Sequence, residues 1–249
     1  MKFVNYLTAF SVFGVIAGAA LPANAITTFF GEDLNNSATV PLSSFPNASA
    51  AEADFLSDLV GVGTEDFESF STGTGEPLDL NFPGAGTATL SGGNGAIDSV
   101  TPGSASNGRY GTSGSNFWEV EAGGTGNFTI TFSEEIAAFG FFGVDIGDFG
   151  GQLELELANG TTQTVTVPNT SGSGGSTDGS VLFQGIIADP GEEFTSVEFL
   201  TTTGGGDVFA FDDFTIGTRG QVQPPTQPIP YEAEGTMGLV ALGGFFWYR

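Results

Sequence analysis

Two adjacent carboxylates interrupt one of the most apolar stretches of the chain, FAFDDFTIG at 209–217. Phe209 and Phe211 share one parity while Phe214 and Ile216 share the other, so a strand through them must change register at Asp212-Asp213 and turn one acid inward. DFESF at 66–70 repeats the pattern, with Phe67 and Phe70 at opposite parity around Glu68 and Ser69. Two strands are thus expected to offer a semi-buried acid each. A carboxylate removed from water needs a counter-charge or several hydrogen-bond donors, and Arg109 and Arg219 are the only cationic side chains between the N-terminal segment and the tail.

Two readings stay open for these acids. In one they sit at sheet rims, solvated or paired with arginine. In the other they hold a structural calcium ion, whose oxygen-rich shell carboxylates and the carbonyls of Gly-rich turns can supply. The candidate ligands are then Glu68 and Asp213, with Asp212 as alternate. The turn at 145–151 places Asp145 and Asp148 three apart but lacks the spacing and distal Glu of an EF-hand loop, and reads as an Asp-x-Gly turn. A glycosidase needs two acids across a scissile bond; nothing marks one pair among 29 acids, and no enzymatic activity is expected. Trp118 and Tyr110 could stack on sugar rings from a sandwich rim, but Trp118 shares parity with Val120 in FWEVEA, which favours burial.

The elements that must position these residues are mostly strands. TATLS, NFTITF, QLELELA and TQTVTV alternate apolar and polar residues with period two, the signature of half-buried antiparallel strands. Asn159-Gly160, between the last two, supplies the positive φ angles of a two-residue hairpin turn. Longer apolar runs at 136–146, 180–187, 194–200 and 207–216 suggest strands packed on both faces, giving roughly ten strands. Ser49 and Glu52 form a capping-box pattern ahead of a short amphipathic helix over 50–60. The Gly/Ser-rich stretches 92–116 and 169–179 read as long loops, mobile or ligand-facing. The expected fold is all-β, a two-sheet antiparallel β-sandwich of jelly-roll type, with one short N-terminal helix and a short C-terminal apolar helix.

Composition agrees. The chain has 40 glycines and 25 phenylalanines, enough turns and enough core for one domain of this size. Four basic residues against 29 acidic ones give a formal net charge of -25, which excludes nucleic acid as a partner. Cysteine and histidine are both absent, so disulfides, thiolate zinc sites and imidazole-based catalysis are excluded as well.

Both ends read as sorting signals. Lys2, the apolar stretch 9–21 and Ala23-Asn24-Ala25 form a secretory signal peptide, 1–25, with an A-x-A cleavage site at Ala23 and Ala25. Residues 26–64 are an N-terminal segment with the short helix, 65–218 the β-sandwich domain, and 219–230 a Pro-rich spacer. The tail 231–249 carries two acids, a twelve-residue apolar run at 237–248 and a terminal Arg249. As a helix that run rises about 18 Å, short of the roughly 30 Å hydrocarbon core, so transient or partial insertion suits it better than stable spanning.

A short motif, an apolar helix and a terminal basic residue together resemble the PEP-CTERM sorting signal, in its Pro-Phe-Glu form, with Pro230, Tyr231 and Glu232 as the matching residues. Tyr231 replaces the Phe of that pattern, and a single basic residue stands where a cluster is common. The stretches VGTEDFESF, GDFGGQLELELANG and FDDFTIG are similar to extracellular domains that accompany this tail. The resemblance implies an exosortase-like membrane processing enzyme as partner, contact with the membrane through the tail, and a location in the cell envelope, on the cell surface or outside the cell. The expected role is structural or interactive, with extracellular polysaccharide as a partner. The alternatives are a carbohydrate-binding module with structural calcium, which needs an exposed aromatic platform or an acid-lined groove, and a secreted glycoside hydrolase.

Overall fold

The computed structural model describes residues 26–122, 127–146, 151–170, 178–200 and 207–224. The signal peptide with Ala23 and Ala25, the sorting motif Pro230, Tyr231 and Glu232, and the C-terminal apolar helix lie outside the described residues.

The described chain runs β1 (Ile26–Asp33), α1 (Pro46–Ser57), β2 (Gly63–Glu65), β3 (Leu78–Phe82), β4 (Gly86–Ser91), β5 (Ala96–Ser99), β6 (Asn116–Ala122), β7 (Phe128–Ile136), β8 (Ala138–Val144), β9 (Gln152–Leu157), β10 (Thr162–Thr166), β11 (Val181–Ala188), β12 (Phe194–Leu200) and β13 (Asp207–Gly217). One sheet has the order β1-β11-β8-β13-β6-β5, with β2 also pairing β13; the other has the order β10-β9-β12-β7-β4-β3. The fold is an antiparallel β-sandwich of jelly-roll type, because from β6 onward the chain passes repeatedly between the two sheets.

The alternating runs form the six-stranded sheet. Their apolar residues point inward, as in β3, where Leu78, Leu80 and Phe82 are buried and Asp79 and Asn81 exposed. Of the four longer apolar runs, 194–200 is β12 of the six-stranded sheet, with only Phe194, Val197 and Phe199 buried; the other three supply β8, β11 and β13 of the other sheet, where β8 and β11 are buried along their whole length because that sheet is covered on both faces. Its inner face meets the six-stranded sheet in a phenylalanine-rich core, where the rings of Phe141, Phe199 and Phe211 have centroids 5.0 to 5.7 Å apart. Its outer face carries a second cluster, in which Phe142, Phe183 and Ala210 pack beneath Phe55 and Ala48 of α1.

Helix α1 begins at Pro46, earlier than the Ser49 capping box implied, and its N-cap Phe45 contributes no side-chain hydrogen bond. The cap comes from another element: Asp33, at the end of β1, accepts hydrogen bonds from the N–H groups of Asn47 and Ala48, each at 2.9 Å. A carboxylate there satisfies orphan donors and complements the positive end of the helix dipole.

Two local expectations change. The β9–β10 hairpin forms with Glu156 opposite Thr162, but of its turn residues only Gly160 takes a positive φ, +81°, and its N–H donates to the Leu157 carbonyl at 2.9 Å. This is a type I turn closed by a left-handed glycine. Residues 66–70 form a turn instead of a strand: Phe67, at φ +58°, drops into the core while Glu68 is exposed.

Candidate functional site

Asp212 lies on the outer side of β13, in the same parity as Ala210 of the outer cluster, and the pairing of β13 with β8 is bulged between Asp212 and Thr215. The register change expected there is present, and all of Phe209, Phe211, Phe214 and Ile216 consequently reach the inter-sheet core. Asp213 absorbs the bulge at φ +49°, and Asp212 has no solvent exposure. What covers it is the loop through Gly111 and Ser113. Asp212 Oδ2 accepts from the N–H groups of Thr112 and Ser113 at 2.7 and 3.0 Å, and its Oδ1 accepts from the Asp213 N–H at 2.8 Å. Asp213 accepts the hydroxyls of Ser113 and Thr112, each at 2.9 Å.

Glu68 grips the other end of the same loop, its Oε1 accepting the N–H groups of Ser115 and Asn116 at 2.6 and 2.5 Å. The three acids singled out from sequence therefore converge on one loop, as fasteners on N–H and O–H donors of the chain itself. Five of the six carboxylate oxygens of these acids accept hydrogen bonds from that loop or from the Asp213 N–H, and among the described residues no group of three or more acids is placed to hold a metal ion.

Among the described residues no arginine offsets these charges. Arg109 Nε donates to Glu119 Oε2 at 2.8 Å and lies 3.9 Å from Asp145, while Arg219 Nε donates to Glu193 at 2.7 Å. Burial, then the charge of Asp213, pushes the Asp212 carboxyl well above the usual range, against the pull of its hydrogen bonds. Asp213 is raised by burial and by Asp66, and Glu52 of α1 by burial and by Asp213.

The aromatic candidates are inside. Trp118 is fully buried, its ring edge against Gly95, where a β-carbon would collide with the indole. Tyr110 donates to the Gly179 carbonyl at 2.7 Å and accepts from the Leu42 N–H at 3.1 Å; burial pushes its phenol up to about 12. Both tie down segments that the sequence reads as loose loops. Among the described residues no aromatic side chain is exposed.

An acid-lined groove is present, at a place the sequence did not single out. On the outer face of the larger sheet, Thr72, Gly73, Asn94, Asp98, Glu119 and Glu121 line a depression of about 410 Å³. Asn94 donates to Glu121 at 3.0 Å, and Glu119 is held by Arg109. The signal for half of it was in FWEVEA: if Trp118 and Val120 point inward, Glu119 and Glu121 share the outer face. Asp98 was hidden because β5 lies within the stretch read as a loop.

The chain matches no protein-family model and no curated protein. Among solved structures it is similar to the K2 adhesin domain of Lys-gingipain (15% identity, 63% of this chain and 98% of that one, TM-score 0.36). It is also similar to a family 61 carbohydrate-binding module, TmCBM61, solved with β-1,4-galactotriose (17%, 62% and 94%, 0.32). A third is the family 11 carbohydrate-binding module of a Clostridium thermocellum cellulosomal cellulase (14%, 68% and 99%, 0.31). These likenesses are too distant to carry a ligand or a site to this chain.

Proposed function

We propose that this chain is an exported, acidic β-sandwich of the cell envelope or extracellular matrix, with a structural and binding role and polysaccharide as its partner. The observation that carries the reading is the groove at Asp98, Glu119 and Glu121, which brings acceptor oxygens to an outer surface. Carboxylates accept paired hydroxyl donors well, and a chain of this charge repels anionic ligands. The partner is therefore a neutral, hydroxyl-rich polymer. Catalysis is not part of the reading: the carboxyl pair whose titration is displaced upward, Asp212 and Asp213, lies beneath a loop, with Asp212 closed to solvent. Export rests on the signal-like N-terminus, and retention on the tail around Pro230, Tyr231 and Glu232, read by an exosortase-like enzyme.

Affinity electrophoresis through gels containing neutral polysaccharides tests binding. Retardation of the wild type, weakened in Glu119→Gln/Glu121→Gln, supports the reading; migration unaffected by every polysaccharide rejects it. Fractionation of a tagged chain, intact and truncated after Pro224, tests sorting: the truncated form should leave the envelope fraction, and an unchanged distribution removes the tail from the account.

A further inference from the structure

The six-stranded sheet carries rows of polar side chains in continuous register on its outer face. Asp79 pairs with Thr89, Thr89 with Thr131, Thr131 with Ser196, Ser196 with Glu156 and Glu156 with Thr162, a row crossing all six strands. A second row follows: Ser91, Thr129, Glu198, Glu154 and Thr164. Their apolar strand neighbours point the other way, into the core. The one α-helix among the described residues packs on the other sheet.

We infer that this face binds a single extended chain of neutral polysaccharide running across the strands, as a second contact separate from the groove. The inference rests on the polysaccharide reading above and adds a place and a direction to it. The rows contain hydroxyls and carboxylates and no basic residue, so the occupant must bring hydrogen-bond donors and no negative charge. The buried centre of a protein interface is apolar and depleted of charge, and two rows carrying Asp79, Glu156, Glu198 and Glu154 offer no such centre. Sheets twist by roughly 20 to 25° per strand, which denies a flat crystalline surface a continuous fit but lets one chain follow a row. Each step along the row meets a polar group about 4.8 Å on.

The face is also preorganised. β-Branched threonines have few χ1 choices, and the Thr89 hydroxyl is already held by Asp79 at 2.7 Å and that of Ser196 by Glu156 at 3.3 Å. The serines and threonines of the rows, being short, lose little entropy when a ligand arrives. A face serving only solubility would do better with long charged groups of both signs.

The test separates this inference from the groove. Full-length chain is run by affinity electrophoresis in hydroxyethylcellulose, galactomannan and mixed-linkage β-glucan, with a polyuronate as anionic control. Four forms are compared: wild type, the groove variant E119Q/E121Q, the face variant T89V/T131V/T162V, and the two combined. Val replaces Thr without change of shape, and unchanged melting temperatures verify folding. The expected result is that the groove variant keeps residual binding to a neutral polysaccharide, which the face substitutions then weaken by at least about tenfold, or 1.4 kcal/mol. If the groove variant alone abolishes binding, or the face substitutions change nothing in its background, the inference falls and the polysaccharide reading survives. If the wild type is retarded by none of the neutral polymers, or only by the polyuronate, both fall.

Discussion

Asp212 and Asp213 share a hydroxyl: Thr112 Oγ1 lies 3.1 Å from one carboxylate and 2.9 Å from the other. A hydroxyl has one proton to give, so it cannot serve both at once. With Arg109 and Arg219 bound elsewhere, the pair is underserved when both acids are ionised. Burial raises both carboxyls, and a neighbouring carboxylate adds to each, Asp213 to Asp212 and Asp66 to Asp213, against the pull of their hydrogen bonds. The folded state then binds more protons than the unfolded chain, whose aspartates titrate near 3.8. Stability must therefore increase as pH falls from neutrality through the raised folded values, and decline as pH rises through them. Glu52 and Glu65, both raised first by burial, act in the same direction. Glu193 opposes them: burial pushes it up, but the Arg219 hydrogen bond and charge prevail and hold it below its ordinary 4.5. Its contribution is lost only in more acidic solution. Urea unfolding at pH 7.5, 6 and 5 should show a rising midpoint; a falling one contradicts this account.

The two aspartates differ in what an amide would do. Asp213 meets hydroxyls, which can turn from donor to acceptor, and its φ of +49° is one that asparagine tolerates well. Asp213→Asn should leave the protein at least as stable at pH 7 and flatten the pH dependence. Both oxygens of Asp212 face backbone N–H groups, so an amide NH2 must confront a donor. Asp212→Asn should cost about 1 to 3 kcal/mol for the group left unsatisfied. Equal effects of the two substitutions in denaturant titrations would show that charge alone matters at the bulge.

The contrast explains what was legible in the sequence. Period-two alternation identified β4, β7, β9 and β10, and the parity break identified the bulge at Asp212-Asp213, because both are local consequences of side-chain direction. β1 was missed: ITTFFGED does not alternate, and its partner β11 lies more than a hundred residues away. The helix start was misplaced because its cap, Asp33, belongs to another element. Phe67 and Phe70 signalled a break correctly, but a turn with positive φ at Phe67 produces the same parity as a bulged strand. The fate of the acids was hidden for a related reason: their partners, Thr112, Ser113, Ser115 and Asn116, sit in a Gly/Ser-rich segment whose composition suggests a loop and says nothing of what holds it.

The end of the folded body is also later than proline content implied. Residues 219–223, read as part of the spacer, are bound to it. Arg219 donates to the carbonyls of Ala188 and Asp189 as well as to Glu193, and Gln221 to those of Gly61 and Pro83. The Gln223 N–H meets the Asp58 carbonyl at 2.7 Å. Truncation after Thr218 removes all of these, for a loss of about 3 to 9 kcal/mol at typical net hydrogen-bond values. At this chain size that lowers the melting temperature by at least about 6 °C. Truncation after Pro224 should leave it unchanged. Calorimetry on the two forms decides, and equal melting temperatures would place the boundary at Thr218.

Phe55 is the largest fully buried side chain of helix α1 in the outer cluster. Phe55 is fully buried and sits over Gly140 of β8 and Gly185 of β11, residues paired across the two strands. A β-carbon at either position would stand 2.7 or 2.8 Å from the ring, closer than packing permits. Gly140→Ala must displace the ring, and with it the cover over Phe183, whose centroid is 5.7 Å from that of Phe55. Overpacking of this kind costs about 1 to 3 kcal/mol, and Phe55→Ala about 3 to 5 kcal/mol through lost burial and the cavity left. The two changes are not independent, because the smaller side chain of the second makes room for the methyl of the first. The double variant should therefore be more stable than the sum of the single losses predicts. Strict additivity in a thermal double-mutant cycle would mean that the helix is held by other contacts.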